Sequence, residues 1–404
     1  MTATEGASAS EQPGPDQRPP GRDLILPGGR VDADAIRAAA DVEDASGDDD
    51  GLRRVRFVLS RDLRKRLDKY LGDRISFMSR TQLQKLIEHE GVTVNGRTPK
   101  PSTTLRLGDV IEVVVPPPPP TEIQPERIPL EILFEDEHLI VLNKQPDIIV
   151  HPARSHLSGT MINALAWHFQ NASATGGALS TVGTEFARPG VVHRLDRHTS
   201  GVIVFAKSDE AHWKLGRQFE HRTVDKRYVA VVHGVVEPQA DVIELPLGPH
   251  PSTAKGMREK YVVRHDELGK PSVTIYRVRE QYDGYALLEL DLKTGRTHQI
   301  RVHLSHLGWS IVGDEMYGGR RLERSAITGE KAPAGEQSLM ARQALHAALI
   351  RFTHPISGER MTFTAPAPAD MAELVELLRR HRPGAGPVEM GGAALDLDAI
   401  VSRP

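Results

Sequence analysis

From Val55 onward the apolar residues of the chain fall into runs of two periods. In RDLRKRLDKYLGDR, Leu63, Leu67, Tyr70 and Leu71 recur at helical spacing, which predicts an amphipathic helix. RTQLQKLIEHE repeats the pattern with Leu83, Leu86 and Ile87 on one face, Ser79 placed as N-cap and Gly91 just past the end. In VTVNGRT, Asn95-Gly96 lies between β-formers and signals a tight hairpin. Leu105, Val110, Ile111 and Val113 read as closing strands around a Gly108-Asp109 turn. Two helices and a small sheet, over about 60 residues, make one small domain.

Five prolines at 116–120 then form an extended, semi-rigid spacer. From about Arg127 to Pro383 the apolar runs are short and β-like: HLIVLN, GVIVFAK, YVAVVHG, SVTIYRV, YALLELDL and ALIRF. Helices intervene, one capped by Thr160 and carrying Ile162, Leu165, Ala166 and Phe169, another capped by Ser208 and carrying Ala211, Leu215 and Phe219. A last helix carries Met371, Leu374, Val375 and Leu378. Strands outnumber helices without βαβ alternation, so the expected class is α+β with a largely antiparallel sheet. The expected division is an acidic disordered tail (1–52), a small basic α/β module (53–115), a Pro-rich linker (116–126), a large catalytic domain (127–383) and a flexible tail rich in Gly and Asp (384–404).

Charge changes the picture of the small module. The 404 residues hold 51 Lys and Arg against 54 Asp and Glu, a formal −3. That near-neutrality is a cancellation. Residues 1–50 carry twelve acids and four arginines, a net of −8, while residues 53–108 carry fourteen Lys and Arg against five acids, a net of +9. Arg61, Arg64, Lys65 and Lys69 lie one to four apart on the first predicted helix, and Arg80 and Lys85 flank the apolar stripe of the second. Lys and Arg at this density attract phosphate through charge and counterion release. Nucleic acid is therefore the expected partner of this module.

Other classes fall away. With no cysteine, disulfides, thiol nucleophiles, iron–sulfur clusters and cysteine zinc sites are excluded. No apolar run approaches the roughly 20 residues that span a bilayer. The opening MTATEGASASEQPGPD has no basic stretch followed by an apolar one, so a cytoplasmic protein without a membrane partner is expected, as a monomer. There is no G-x-S-x-G elbow, no G-x-x-x-x-G-K-[ST] loop and no G-x-G-x-x-G opening a helix.

Candidate chemistry sits in the large domain. VVHRLDRHTSGVIVFAKS places Asp196 between Arg194 and Arg197, in a turn that ends at Gly201 before an apolar strand. A carboxylate flanked by guanidiniums is held ionised and oriented, and on the lip of a rigid strand it can serve as nucleophile or base. An isolated Arg-x-Asp is more often a stapled turn. In TGRTHQIRVHLSHLG, Arg296 and Arg301 are five apart, with His298, His303 and His306 nearby. The H-E-x-x-H pattern is absent, Ile300, Val302 and Leu304 alternate as in a strand, and no acidic ligand is interleaved, so no metal is expected. Tyr228 in DKRYVAVVHG opens a strand, an ordinary core position.

RLDKYL, SRTQLQKLI, VTVNG and LRLGDVIEV together resemble the small RNA-binding domain first described in a ribosomal small-subunit protein (S-four-like). HRLDRHTSG, KRYVAVVHG, TGRTHQIRVHLSHLG with VGDEMYGG, LHAALIRFTHPISGE and FEDEHLIVLNK…VHP resemble, in order, the motifs of the RluA family of pseudouridine synthases. The likeness is in particular to its RluD-type members, which act on large-subunit ribosomal RNA; RluC-type members share these motifs. The resemblance covers about residues 55–382 and implies an isomerase that needs no cofactor or metal. It implies Asp196 as the catalytic aspartate, Tyr228 against the target base with a part in proton transfer, and Arg301 paired with Asp196. It implies Arg194 holding the flipped nucleotide and Leu345 packing beneath it, with Arg296 as a further substrate-binding residue. Arg61, Arg64, Lys65, Arg80 and Lys85 are the RNA contacts expected from the charge pattern of the small module. One stretch departs: where the family reads N-K-P-x-G, this chain has Asn143-Lys144-Gln145-Pro146-Asp147. Asp tolerates a left-handed turn better than most non-glycine residues. The role of Asp196 stays open between attack on the ribose, addition to the uracil ring and removal of a ribose proton. Two rivals remain, a non-catalytic RNA-binding ribosome assembly factor and a hydrolase pairing Asp196 with His193 or His198.

Overall fold

A computed structural model describes residues 24–26, 29–32, 35–36, 53–75, 78, 80–115, 123–151, 158–182, 188–252, 257, 259–332, 334–388 and 391–401. The expected cap at Ser79, the prolines at 116–120 and most of the acidic tail lie outside the described residues. The chain divides into two units, described residues 24–115 and 123–401.

In the first unit β1 (Arg53–Val58), α1 (Leu67–Arg74), α2 (Arg80–Glu88), β2 (Val92–Val94) and β3 (Val110–Val115) form an antiparallel sheet in the order β1-β3-β2 with two helices. Leu67, Tyr70, Leu71, Leu83, Leu86 and Ile87 are buried, as their spacing requires. Asn95 (φ 52°) and Gly96 (φ 73°) make the left-handed pair of a tight turn, closed by a single bridge from Val94 to Arg97. The strand partner of β2 is instead β3.

The first helix is shorter than the leucine spacing suggests. Arg61, Arg64 and Lys65 precede it and are not on it. Arg66 is extended and bridges Thr104, Leu105 N donates to Lys65 O (3.0 Å), and Leu67 N donates to Thr103 O (2.8 Å). Pairing with a segment far along the chain fixes residues 65–66 as extended, and Arg64 adopts φ 46°. The helix can begin only where that pairing stops. Part of the expected tail is also packed in this unit: Ile25 bridges Val31, Val31 N donates to Arg74 O (2.7 Å), and Val31 and Ile36 are buried.

The second unit contains β4 (Glu131–Glu135), β5 (Leu139–Lys144), α3 (Met161–Asn171), β6 (Ser200–Ala206), α4 (Asp209–Glu220), β7 (Asp225–His233), β8 (Ala240–Glu244), β9 (Leu247–Pro249), β10 (Tyr261–Val263), β11 (Val273–Tyr282), β12 (Tyr285–Leu292) and α5 (Gln299–His306). Then come β13 (Leu322–Glu323), α6 (Arg324–Thr328), β14 (Ser338–Met340), β15 (Leu345–Thr353), β16 (Arg360–Thr364), α7 (Ala369–His381), β17 (Pro383–Pro387) and α8 (Leu397–Val401). Ten of these strands form one sheet in the order β17-β11-β12-β7-β15-β6-β5-β4, with β8 along β11 and β16 along β15. Every pairing in it is antiparallel except β15 with β6. All six apolar runs are strands, and Thr160 and Ser208 accept from the third residue of their helices. Strands β5 and β6 are buried on both faces: Ile140, Leu142, Ile203 and Phe205 share a core with α3 and α7, while Leu139, Val141, Val202 and Val204 pack against α4.

Two segments differ from expectation. Residues 299–306, which alternate like a strand, are helical; Ile300, Arg301, Val302, His303 and Leu304 are all buried, so no solvent-facing stripe marks a 3.6-residue period in the sequence. Much of the expected flexible C-terminal tail belongs to this unit. β17 pairs with β11, and Leu395, Leu397, Ile400 and Val401 enter the main core, although four apolar residues scattered among Gly and Asp leave no visible pattern. Among the described residues no helix is long and apolar enough to cross a membrane.

Candidate active site

Asp196, Arg194, Tyr228, Arg296, Arg301 and Leu345 line one cleft. Tyr228 lies on β7 between Leu290 and Ala347, and Leu345 opens β15 opposite Ala230. Asp196 sits in the turn before β6, closed by Thr199 N donating to Asp196 O (3.1 Å). Gly201 (φ 118°) lets that strand run against β15; a Cβ there would lie 2.2 Å from Ala347 O.

Three buried side chains hold this turn from behind. Lys144 Nζ donates to Arg197 O (2.9 Å), Gln145 O (2.9 Å) and Ile148 O (3.0 Å), so three carbonyls meet the three N–H groups of an ammonium. Burial pulls the Lys144 pKa down to about 7, with Asp196 and Asp147 pulling the other way. Arg342 grips Asp370 through two hydrogen bonds (2.8 and 2.7 Å) and donates to His198 O (3.1 Å), while Gln343 reaches Thr199 Oγ1 (3.2 Å).

Arg301, buried on α5, joins two carboxylates. Its Nε and Nη2 donate to Asp314 Oδ2 (2.7 Å) and Oδ1 (2.8 Å), and its Nη1 donates to Asp196 Oδ2 (3.0 Å). The guanidinium carbon lies 4.9 Å from the centre of the Tyr317 ring. Asp314 follows Gly313 (φ 79°), where a Cβ would lie 2.0 Å from Arg342 O, so only glycine brings this turn close enough. Burial alone would raise the Asp196 pKa, but the fields of His298, Arg301 and Arg194 and the Arg301 hydrogen bond hold it below the usual carboxylate range. Burial works against the Arg301 charge, and Asp314 and Asp196 more than offset it. The product is an ionised carboxylate, fixed by one oxygen and still about a fifth exposed (22%), at the rim of an apolar floor.

Residues 138–306 match the family model for RNA pseudouridylate synthase, and residues 65–111 match the S4 domain. An uncharacterized RNA pseudouridine synthase of Bacillus subtilis is 38% identical over 317 residues, covering 78% of this chain and 95% of that protein. The chain belongs to the RNA pseudouridine synthase family. Ribosomal large subunit pseudouridine synthase D of Pasteurella multocida is 37% identical over 318 residues, covering 78% of this chain and 92% of its own length. The solved human RNA pseudouridylate synthase domain containing 1 aligns with TM-score 0.46 and 24% identity over 67% of this chain and 94% of that one. This pseudouridine synthase is an isomerase with an RNA-binding S4 domain ahead of its catalytic unit.

In the synthase the six cleft residues expected from sequence come together. The five basic residues of the S4 domain are divided: Arg80 and Lys85 are exposed on α2, while Arg61, Arg64 and Lys65 lie on the segment before α1. Lys65 pairs with Asp73, and Arg80 Nη2 donates to buried Asp68 (3.1 Å). Asp147 takes the left-handed turn (φ 65°) where the family has glycine, and its carboxylate pairs with His198. His303 engages Thr274 Oγ1 (2.9 Å) and Leu245 O (3.0 Å) through its two ring nitrogens. Among the described residues no group of three or more His, Asp or Glu is placed to hold a metal ion. Asp314, Tyr317, Lys144 and Arg342 were not singled out from sequence. The acid and tyrosine of the glycine-punctuated VGDEMYGG were the available signal for the first two.

Proposed function

We propose that this synthase isomerises specific uridines of large-subunit ribosomal RNA, with Asp196 as the reacting carboxylate and no cofactor. The observation that carries the reading is the single-oxygen hold of Arg301 on Asp196, which keeps the acid ionised in a cleft shared with Tyr228 and Leu345. Isomerisation breaks the bond from ribose C1′ to uracil N1 and forms one from C1′ to ring carbon 5. The proton on carbon 5 leaves and N1 gains one, so atoms balance without a donor or oxidant. Tyr228, against the base, takes part in the proton transfer. Attack by Asp196 and abstraction of a ribose proton by it both fit this geometry. Arg194, more than a third exposed beside Asp196, suits a nucleotide that has left its stack. The ribosomal target is supported by the names of close relatives and by the basic S4 domain.

The hydrolase alternative has less support, since its candidate base His193 is engaged at Nε2 and His198 does not line the cleft. His193 Nε2 accepts from Val204 N (3.0 Å) and its ring stacks on Phe219, while His198 pairs with Asp147. Tritium release from large-subunit RNA labelled at uridine carbon 5, followed by primer-extension mapping, tests the reading. Asp196→Ala and Asp196→Asn should abolish release, by at least about 10⁴-fold, and leave RNA binding intact. With its pKa held low, Asp196 should give no acid limb in the rate profile above about pH 4. Release that persists in Asp196→Ala would remove the aspartate from the mechanism; a binding-only assembly factor would show none in the parent protein.

A further inference from the structure

A second group faces Asp196, and its chemistry is set by a chain of hydrogen bonds that begins at a backbone amide. Tyr261 N can only donate, and it does so to Tyr317 Oη (2.9 Å). Tyr317 Oη lies 2.8 Å from His298 Nδ1. The Tyr317 side chain is buried, and among the described residues its hydroxyl has no other acceptor, so its proton satisfies both groups only by pointing at Nδ1. His298 then carries its own proton on Nε2. That nitrogen lies 3.9 Å from Asp196 Oδ2, the oxygen already held by Arg301. Asp196 Oδ1 has no hydrogen-bond partner among the described residues. Burial lowers the His298 pKa to about 4, so its charge acts on Asp196 only in acid, and near neutrality the ring is an uncharged donor. His298 is held at φ 54°, a left-handed conformation that a non-glycine residue keeps only when its surroundings impose it.

From this geometry we infer that His298 is a positioning residue: its Nε2–H, oriented by Tyr317 and Tyr261, closes on Asp196 Oδ2 and leaves Oδ1 as the oxygen that meets the uridine. The 3.9 Å separation is longer than a hydrogen bond and is of the kind that tightens as substrate fills a cleft. The inference rests on the catalytic reading of Asp196, and it adds which oxygen reacts and what secures the other.

Two substitutions separate this role from a purely structural one. Asn tolerates a left-handed backbone and places its amide where Nδ1 stood, keeping the Tyr317 partner but losing reach to Asp196. Gln suits the backbone less well but places an N–H where Nε2 stood. Under single turnover on large-subunit RNA, His298→Gln should keep the rate within about 5-fold of the parent. His298→Asn should lose about 30- to 100-fold, with KM for RNA unchanged within about twofold in both. A structural role predicts the reverse order, and Asn performing as well as Gln would overturn the inference. Tyr317→Phe keeps the ring beside Arg301 and removes only the hydroxyl. It should cost about 10-fold alone and add almost nothing to His298→Asn. Fully multiplied losses in the double variant would show that the two do not act in series and would also overturn it. An inactive parent protein would sink the catalytic reading and this inference with it.

Discussion

Both units of the molecule pair arginine with aspartate, and they do so with opposite members exposed. In the S4 domain the carboxylate is the buried member. Asp68 is fully covered and accepts from Arg66, Arg80, Gln84 and Lys69 N, while the Arg80 and Arg66 side chains are 61% and 45% exposed. In the catalytic cleft the guanidinium is buried: Arg301 is 7% exposed, backed by Asp314 at 1%, and Asp196 at 22% is the member that solvent reaches. A buried ion must be paired and fully hydrogen-bonded, so it serves as the fixed base of a pair. Its partner is the group left to meet a ligand. One arrangement presents oriented guanidiniums, which suit phosphates; the other presents an oriented carboxylate, which suits chemistry on a sugar or base.

The comparison breaks most sharply at Asp314. Asp314→Asn removes half of the bidentate grip and leaves a buried guanidinium with one carboxylate instead of two. Breaking a buried pair of this kind costs about 3–5 kcal/mol, read as a fall in the thermal midpoint. Misplacing Asp196 by about an ångström should lower the tritium-release rate about 100-fold, while RNA affinity stays within about twofold. Loss of affinity with unchanged rate would mean that Arg301 serves binding and not the reacting carboxylate.

Asp68→Asn makes the matching change in the other unit and should do the opposite. Arg66 and Arg80 remain charged and solvated, so the charge available to RNA is not reduced, but their orientation is lost. The leftover unsatisfied polar atoms cost about 1–3 kcal/mol. RNA affinity at moderate salt should fall about 3- to 10-fold, and the rate at saturating RNA should not change. Filter binding across a salt series separates the two effects, because lost orientation lowers affinity without changing the salt slope by the full unit that a lost cation would. A drop in the saturated rate would show that the S4 domain does more than hold RNA.

How much of this was legible in the chain depends on how far apart the partners lie. Asp196 with Arg194, and the capped helices at Thr160 and Ser208, could be read because each is a pattern within a dozen residues. Tyr228 and Arg301 stand out in the sequence, but they gain a role, and Leu345 gains notice, only through the family likeness, since the cleft that gathers them is assembled by β7, α5 and β15. The first helix is shorter than its sequence suggests because Leu63, Leu67 and Leu71 keep helical spacing, whereas the pairing of residues 65–66 with 104–105 is a tertiary fact. The helix at 299–306 looks strand-like in sequence because its residues 299–304, buried on every side, show no helical period. Asp314 escaped notice because its meaning lies in Arg301, thirteen residues back across a glycine turn.

A third pair extends the comparison to the case in which neither member is buried. Asp147 and His198 meet with side chains 68% and 44% exposed, at the position where the family pattern reads glycine. If burial of one member is what gives such a pair its function, this one should matter little, although it lies two residues from Asp196. Asp147→Gly removes an exposed ion pair worth roughly 0–1 kcal/mol and relieves a left-handed non-glycine residue at a cost of roughly 1 kcal/mol. The added chain freedom of glycine in the unfolded state offsets part of that relief. Lys144 and Arg342 continue to hold the loop and the turn through backbone carbonyls that the substitution does not touch. The thermal midpoint should therefore move by no more than about 1 kcal/mol equivalent, and the tritium-release rate by less than about twofold. A tenfold loss of rate would show that an exposed pair can position Asp196 as firmly as the buried Arg301 does, and the burial rule drawn from the other two pairs would fail.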